Sequence, residues 1–537
     1  MSNKPESRAL TSVTIAFFAA FLLIGLVVFK DYGLSWDEIP TREFGVMYVK
    51  HLVPDLHALD SLRAVKGPAY ERFGPLFEIV LVRAEQLVAS AHLSATMLMR
   101  HLLTFLVYFL GVVLFHWFCR RRFSAGIALL ATVCLVASPQ LFSHAFYNTK
   151  DISFLTTFVA AMLTLDMMLS SPSWRTVLVH ALTTVALLAT RVIGLFAVLL
   201  TGAAAVARRP TRRTLLELLG YGVVVALLLP VVWPVLRIDP LGIIKGAVLG
   251  STSNPYKGTD LFRGQLIPAN ALPWDYVPTW ILITTPWVLS ALFLVGVGSA
   301  VAAIVKHPRE YFFAERQRDL IVLSWFFLPV MGTVILRPIM YDGWRHLFFV
   351  YPALIYLAGI GMETVVTYAA ARFGDARRRM VNTVATTALL LCLTPVVAFM
   401  VANHPFEHLY FNRFAGRDMA EIKQRFELDY WGLSYRKALE YIVRSDSSPV
   451  IRIQVPNFPG RVNALMLQPG DRFRLQYVPR DAEADYFVTN YRSHPENYPY
   501  PREVFSVRVG NASIASVFRL RPPRDSVSPL PSPAASR

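Results

Sequence analysis

The sequence predicts an all-α polytopic membrane protein with a small α/β soluble domain after its last span. Three observations carry this. Apolar runs near the roughly 20 residues that cross a bilayer recur between residues 9 and 402. Short clusters of Arg and Lys fall between them. Beyond residue 402 the long runs stop, and short stretches alternating apolar with polar residues take over. Of the 537 residues 54% are hydrophobic, and mean hydropathy is +0.44. A soluble domain of this length is more polar.

The runs give about eleven spans, at 9–29, 96–117, 124–141, 152–170, 176–189, 191–207, 214–233, 276–304, 320–336, 347–369 and 381–402. The fifth is the shortest. The run from Ala9 to Phe29 reads as a span, since no small-residue cleavage site follows it. Orientation follows from the basic clusters: Arg120-Arg121-Arg122, Arg208-Arg209 with Arg212-Arg213, Lys306 with Arg309, Arg316 and Arg318, and Arg377-Arg378-Arg379. With a cytoplasmic N-terminus, eleven spans put every cluster inside. No register that moves one cluster outside keeps the others inside.

That topology also accounts for the formal net charge of +17. In a soluble chain such charge indicates nucleic acid; here it anchors helices, and no nucleic-acid partner is expected. The three cysteines, Cys119, Cys134 and Cys392, lie in or beside apolar runs, which excludes a disulfide framework and a Cys metal site.

The expected domains are a membrane domain over 1–402, an extracytoplasmic α/β domain over 403–520 and a disordered Pro- and Ser-rich tail over 521–537. In the long first outer loop, Met47–Val53 and Leu76–Val88 carry Lys50, Glu78, Arg83 and Glu85 at helical spacing. That pattern predicts amphipathic helices lying at the interface. In the tail, Tyr435–Val443 reads as a helix. Val450–Val455, Arg472–Val478, Tyr486–Thr489, Val504–Val509 and Ala515–Leu520 read as strands. No repeat, Walker motif or Gly-rich phosphate loop is present, so ATP-driven transport has no support.

Three motifs fall on the outer face. Asp37 and Glu38 follow the first span, beside Trp36. A partly desolvated carboxylate there is expected to have a raised pKa and to act as a general base. The structural alternative is a helix start, with Ser35 or Asp37 as N-cap. Lys150 and Asp151 open the fourth span beside His144, Tyr147 and Asn148. Asp151 is expected to orient an acceptor or help hold a divalent ion, and Lys150 to meet a phosphate; the alternative for Asp151 is again a cap. Arg345 and His346 open the tenth span after Tyr341-Asp342-Gly343-Trp344. The forked guanidinium of Arg345 suits a phosphate. Trp36, Tyr147, Tyr341 and Trp344 are expected to line a substrate site. Arg191 is expected to snorkel to the interface, and Arg63, Lys66 and Arg72 to be mostly solvated. Asn254–Gly258 and Pro273–Tyr276 suit an interfacial aromatic belt or a sugar-stacking surface.

On these residues the chain resembles the membrane glycosyltransferases of the GT-C fold, in the glycosyltransferase family 39 branch of protein O-mannosyltransferases and the aminoarabinose transferase of lipid A. The resemblance covers about residues 10–400. Its hallmark is an Asp-Glu pair just after the first span, where Asp37-Glu38 stands. The family's Lys-Pro-Pro-Leu element reads Phe73-Gly74-Pro75-Leu76 here. The basic residue is lost, with Arg72 its nearest substitute. Asp151 matches an acid at the start of the fourth span, and Arg345 an Arg ahead of a late Pro-containing span, here Pro352. Phe406–Arg413 and Asp429-Tyr430-Trp431-Gly432 look like a subfamily signature.

The resemblance implies transfer of a sugar from a polyprenyl-phosphate donor to a glycan, lipid or protein acceptor, by inverting displacement at the extracytoplasmic face of a bacterial inner membrane. It implies catalytic roles for Asp37, Glu38 and Asp151, and donor phosphate binding by Arg345, His346, Lys150 and Arg72. No resident cofactor or metal is expected, although Asp37, Glu38 and Asp151 carry the hard oxygens a divalent ion takes. The competing reading is a lipid-linked glycan flippase or transporter. Such a protein places charges near mid-bilayer, often with inverted repeats. A third reading is a non-catalytic scaffold presenting the C-terminal domain.

Overall fold

The computed structural model describes residues 8–52, 74–88, 92–237, 239–249, 258–314, 316–374 and 377–521. Among them eight helices are long and apolar enough to cross a membrane: Arg8–Val28, Leu93–Arg120, Thr149–Ser170, Arg212–Val232, Trp287–Lys306, Gln317–Leu336, Arg345–Phe373 and Arg378–Ala402. The chain is therefore a multi-pass membrane protein, as its apolar runs require.

Four expected spans take other forms. The third is two helices, Ala125–Val136 and Pro139–Tyr147, bent by 63°. Pro139 brings no backbone N–H and so starts a new helix rather than continuing one. The fifth and sixth are the short apolar helices Trp174–Leu188 and Val192–Arg208. The eighth is broken: Tyr276–Thr284 ends at Thr285, and Trp287–Lys306 begins after Pro286. Residues 276–284 thus form a separate helix, whose Tyr276 and Thr284 brace the turn ahead of Arg345.

The chain divides into two compact units, Met1–Tyr32 with Asp37–Arg417, and Gly33–Trp36 with Asp418–Arg537. In the first, Thr149–Ser170 is the central helix, with 83% of its most apolar window buried. It packs on Leu93–Arg120, on Trp174–Leu188 and on the 3-10 turn Arg345–Val350. Trp287–Lys306 packs closely on Tyr351–Phe373. A Cβ on Gly296 would run into the Leu357 carbonyl oxygen, and one on Gly361 into that of Leu292. Small residues permit this backbone approach, the usual device where helices pack without a hydrophobic drive.

Charges gather at the two ends of the central helix. Asp151 lies in its first turn; Asp166, near its end, pairs with Arg121 and with Arg318 Nη2 at 2.9 Å. At 1.5 Å per residue the two acids stand about 22 Å apart along the helix. Beside Asp166, Asp319 accepts hydrogen bonds from Arg122 Nε at 3.2 Å and the Tyr356 hydroxyl at 2.7 Å. The basic loops Arg121-Arg122 and Arg318 therefore meet at the end of the bundle opposite Asp151.

Helix Leu76–Val88 sits where the sequence predicts, with its polarity reversed. Glu78 and Glu85 point inward to Arg100, which is fully buried in Leu93–Arg120. Arg42 adds a second contact to Glu85 at 2.8 Å. Leu87 and Val88 are exposed instead. A helix bordered by lipid turns its apolar side outward, so charge-bearing faces mark the inside.

In the second unit a mixed sheet, ordered β4-β3-β5-β7-β6, carries helix Tyr435–Ser445 on one face. Its strands are β3 Ile451–Gln454, β4 Leu475–Tyr477, β5 Tyr486–Thr489, β6 Glu503–Val509 and β7 Ala512–Arg519; β1 Thr259–Phe262 and β2 Gln265–Pro268 form a hairpin in the first unit. β3 is parallel to β4 and β5; β7 is antiparallel to β5 and β6. Ala438, Leu439 and Ile442 pack on Ile451, Ile453, Val488 and Val517. The expected strand at 472–478 is shorter, because Pro469 opens a helical turn to Arg474. Residues 53–73, including Arg63, Lys66 and Arg72, and the tail 522–537 lie outside the described residues.

Candidate active site

Asp37 occupies the N-cap position of helix Glu38–Met47, yet its side chain makes no capping hydrogen bond. Its Oδ2 faces Lys150 Nζ at 3.6 Å and Arg345 Nη1 at 3.7 Å. Lys150 comes from the first turn of the central helix and Arg345 from the turn that opens the tenth span. Three segments far apart in sequence thus converge on one carboxylate.

Asp151 completes the cluster. Its Oδ2 lies 3.4 Å from Arg345 Nη1, and its Oδ1 2.7 Å from Arg191 Nη2. It is not the cap of its helix. Asn148 is: its Oδ1 accepts from the Asp151 N–H at 3.1 Å, and its Nδ2 donates to Asp151 Oδ2 at 2.8 Å. Arg345 Nη2 also stands 3.5 Å from Asp342 Oδ2. The group holds Asp37, Asp151 and Asp342 against Lys150, Arg191 and Arg345, so its formal charges balance, as burial requires.

Exposure separates the two acids. The Asp37 side chain is 32% exposed, against 1% for Asp151 and 3% for Arg345. A substrate can reach Asp37; Asp151 is enclosed by its partners. Burial pushes the Asp37 carboxyl upward, but the Lys150 and Arg345 charges outweigh it and hold the pKa below the ordinary value. The raised pKa expected from position alone is thereby corrected. Tyr341 lies under the Arg345 guanidinium at 5.1 Å, with its own pKa pushed up to about 12 by burial.

The turn carrying Arg345 is fixed from below. Asp342 and Gly343 adopt positive φ, 57° and 70°. The Asp342 N–H donates to Asp260 of β1 at 3.1 Å, and the Gly343 N–H to the Tyr276 hydroxyl at 3.0 Å. Tyr276 itself donates to Asp260. Trp344 Nε1 donates to Thr284 at 2.9 Å. Asn412 then ties the end of helix Tyr276–Thr284 through the Leu282 and Thr285 carbonyls at 2.6 and 2.7 Å. Part of the Phe406–Arg413 signature is thereby explained.

The remaining sequence-derived residues fall as follows. The His346 ring meets Tyr341 edge-on at 5.0 Å, and its buried Nδ1 has no hydrogen-bond partner. Tyr147 is buried beside Ser143, His144 and His408. Trp344 is buried behind the turn. Glu38 is buried and pairs with His101 Nε2 at 2.7 Å. Trp36 belongs to the second unit, where it meets Phe458 and the Arg492 guanidinium. Arg72 lies outside the described residues. Arg191, expected to snorkel, is 8% exposed and clamps Asp151. Its signal in sequence was a lone cation in an otherwise apolar stretch. Among the described residues no group of three His, Cys, Asp or Glu side chains is arranged to hold a metal ion.

No protein-family model and no curated protein matches the chain. Solved structures do. One is ArnT from Cupriavidus metallidurans in the apo state, at 13% identity and TM-score 0.48, covering 94% of this chain and 97% of that one. The same protein bound to undecaprenyl phosphate matches at 12% and 0.48, covering 95% and 98%. The archaeal oligosaccharyltransferase AglB from Archaeoglobus fulgidus, in complex with an inhibitory peptide and a dolichol-phosphate, matches at 10% and 0.46, covering 90% and 70%.

Proposed function

We propose that the chain is a membrane glycosyltransferase of the GT-C kind, using a polyprenyl-phosphate sugar donor. The observation that carries this is the convergence of Asp37, Lys150 and Arg345 at one end of the bundle. An open carboxylate beside two cations is what transfer from a phosphate-linked sugar needs: a base for the acceptor and a clamp for the leaving group.

The acceptor hydroxyl oxygen attacks the anomeric carbon as its proton passes to Asp37. The bond from that carbon to the phosphate oxygen breaks, and its electron pair leaves with the polyprenyl phosphate. Attack opposite the leaving group inverts the anomeric centre. Lys150 and Arg345 stabilise the departing phosphate. Asp151, enclosed by Arg191, Asn148 and Arg345, holds the Arg345 fork in place. The phosphate's negative charge, once beside Lys150 and Arg345, lifts the Asp37 pKa, so donor binding strengthens the base. The reaction face is the outer one, since the basic loops meet at the opposite end of the bundle. The membrane is taken to be a bacterial inner membrane.

The test is transfer of radiolabelled sugar from polyprenyl-phosphate donors to membrane extract by purified protein, with and without chelator. Label should move, and Lys150→Gln should slow it. No transfer from any donor by folded protein overturns the reading and shifts weight to a flippase, which lipid scrambling would reveal.

A further inference from the structure

The turn ahead of Arg345 is held in a shape it would not keep alone. Asp342 and Gly343 both take positive φ, and Asp342 carries a Cβ. A residue with a side chain stays in that region only where its surroundings impose it. Here they come from the β1–β2 hairpin and the helix after it. Asp260 of β1 is 2% exposed and accepts the Asp342 N–H at 3.1 Å. Tyr276, equally buried, donates its hydroxyl to the same Asp260 oxygen and accepts the Gly343 N–H at 3.0 Å. Two consecutive N–H groups thus end on one carboxylate, one directly and one through a phenol.

This gives the Pro273–Tyr276 stretch a different part from the aromatic belt or sugar-stacking surface expected of it. The Tyr276 ring is buried, and its hydroxyl links the hairpin to the turn.

The brace is itself anchored. Arg263 and Gly264 take φ of 52° and 82°, as the two-residue turns that join paired strands require. β1 is the buried strand of the pair and β2 the exposed one. At the hairpin tip, Arg263 Nη2 meets Asp275 Oδ2 at 2.6 Å and donates to Thr279 Oγ1 at 3.0 Å. The tip is therefore fastened to the first turn of helix Tyr276–Thr284.

The consequence appears two residues further on. Asp342 Oδ2 lies 3.5 Å from Arg345 Nη2, while Arg345 Nη1 is 3.4 Å from Asp151 and 3.7 Å from Asp37. All three distances are long for charged hydrogen bonds, so the fork is placed by its backbone more than by tight pairing. A displacement of about 1 Å in such a group can cost on the order of 10²-fold in rate.

We infer that Asp260 is a positioning residue for the transfer reaction, acting with Tyr276 through the Asp342–Gly343 turn to set where the Arg345 fork stands. The inference rests on the glycosyltransferase reading and deepens it: a buried acid on the hairpin governs the cation that meets the leaving phosphate.

The test is a double-mutant cycle with Arg345→Lys, on full-length protein in lipid nanodiscs. Two quantities are read per folded molecule: kcat, and affinity for polyprenyl phosphate alone. Asp260→Ala removes the acceptor of both donors. Tyr276→Phe keeps the ring and removes only the link to Gly343. In the wild-type background each should lower kcat by about 10- to 100-fold and weaken lipid binding about three- to tenfold. In the Arg345→Lys background each should cost less than about threefold, since no fork is left to place. Asp260→Asn keeps an acceptor oxygen for both donors and should hold kcat within a factor of a few. Equal losses in the two backgrounds overturn the inference. So does a lower unfolding temperature with kcat and binding unchanged, which would make Asp260 a structural brace only. Coupling in lipid binding without transfer from any donor would sink the enzymatic reading and leave the placement of Arg345 standing. Transfer by wild type without coupling would do the reverse.

Discussion

The Arg345 guanidinium stands 3.7 Å from the Asp37 carboxylate, with one nitrogen shared between Asp37 and Asp151. One cation therefore sets the charge and the placement of both acids. Its removal and its replacement by another cation have different consequences.

Arg345→Lys keeps the charge but loses the planar fork spanning Asp37, Asp151 and Asp342. The variant should fold, with kcat lower by on the order of 10²–10³. Arg345→Leu leaves buried Asp151 and Asp342 undercompensated and should destabilise the protein by about 3–5 kcal/mol. Turnover and thermal unfolding in the same detergent separate the two. A fully active lysine variant would remove the fork from the mechanism.

The pH profile follows from the depressed Asp37 pKa. In the free protein the base is already ionised above the ordinary carboxylate value of about 3.9, so kcat/KM should stay flat on the acid side until pH falls below it. Stability contributed by the ion pairs is present above that value and lost as pH drops through the lowered folded pKa. In the donor complex the added phosphate raises the Asp37 pKa. The acid limb of kcat should therefore lie at higher pH than that of kcat/KM. Coincident limbs would show that donor binding leaves the base unchanged.

Glu38 is distinguished from Asp37 by what it touches. It is enclosed with His101, while Asp37 is open. Glu38→Gln can keep the hydrogen bond to His101, and its turnover should stay within a factor of a few of wild type. A loss as large as that of Asp37→Asn would place Glu38 in the chemistry. His101→Phe strands a buried carboxylate and should lower folded yield instead.

Arg100→Leu tests the reversed polarity of helix Leu76–Val88. Glu78 and Glu85 lose a fully buried partner, and stability should fall by about 3–5 kcal/mol. The triple change Arg100→Leu, Glu78→Leu, Glu85→Leu should recover much of that loss in thermal unfolding. No recovery would mean the charges act beyond mutual compensation.

These residues also show how far the sequence was legible. Hydropathy located the helices because crossing a bilayer demands about 20 apolar residues wherever they fall. Charge bias grouped Asp37, Lys150 and Arg345 because orientation is a property of loops, readable without contacts. Pairing was hidden. Nothing in the spacing of Glu78 and Glu85 points to Arg100, and a helix facing lipid has the same periodicity as one facing water. Arg191 read as an anchor because burial of a lone cation depends on an acid brought from elsewhere. The breaks at Pro139 and Pro286 were missed because an apolar run looks continuous across a proline. Asp429 was opaque for a related reason. Its carboxylate accepts from the Gly432, Leu433 and Ser434 N–H groups at 2.9–3.2 Å, a loop-closing role that leaves no periodic trace.

The most direct test of the central claim is the rate of sugar transfer from polyprenyl-phosphate donor by wild type and by Asp37→Asn, measured on folded protein in one detergent. The account predicts a loss of on the order of 10²–10⁴ in kcat, with donor binding largely retained. An Asp37→Asn protein that turns over at the wild-type rate would contradict it.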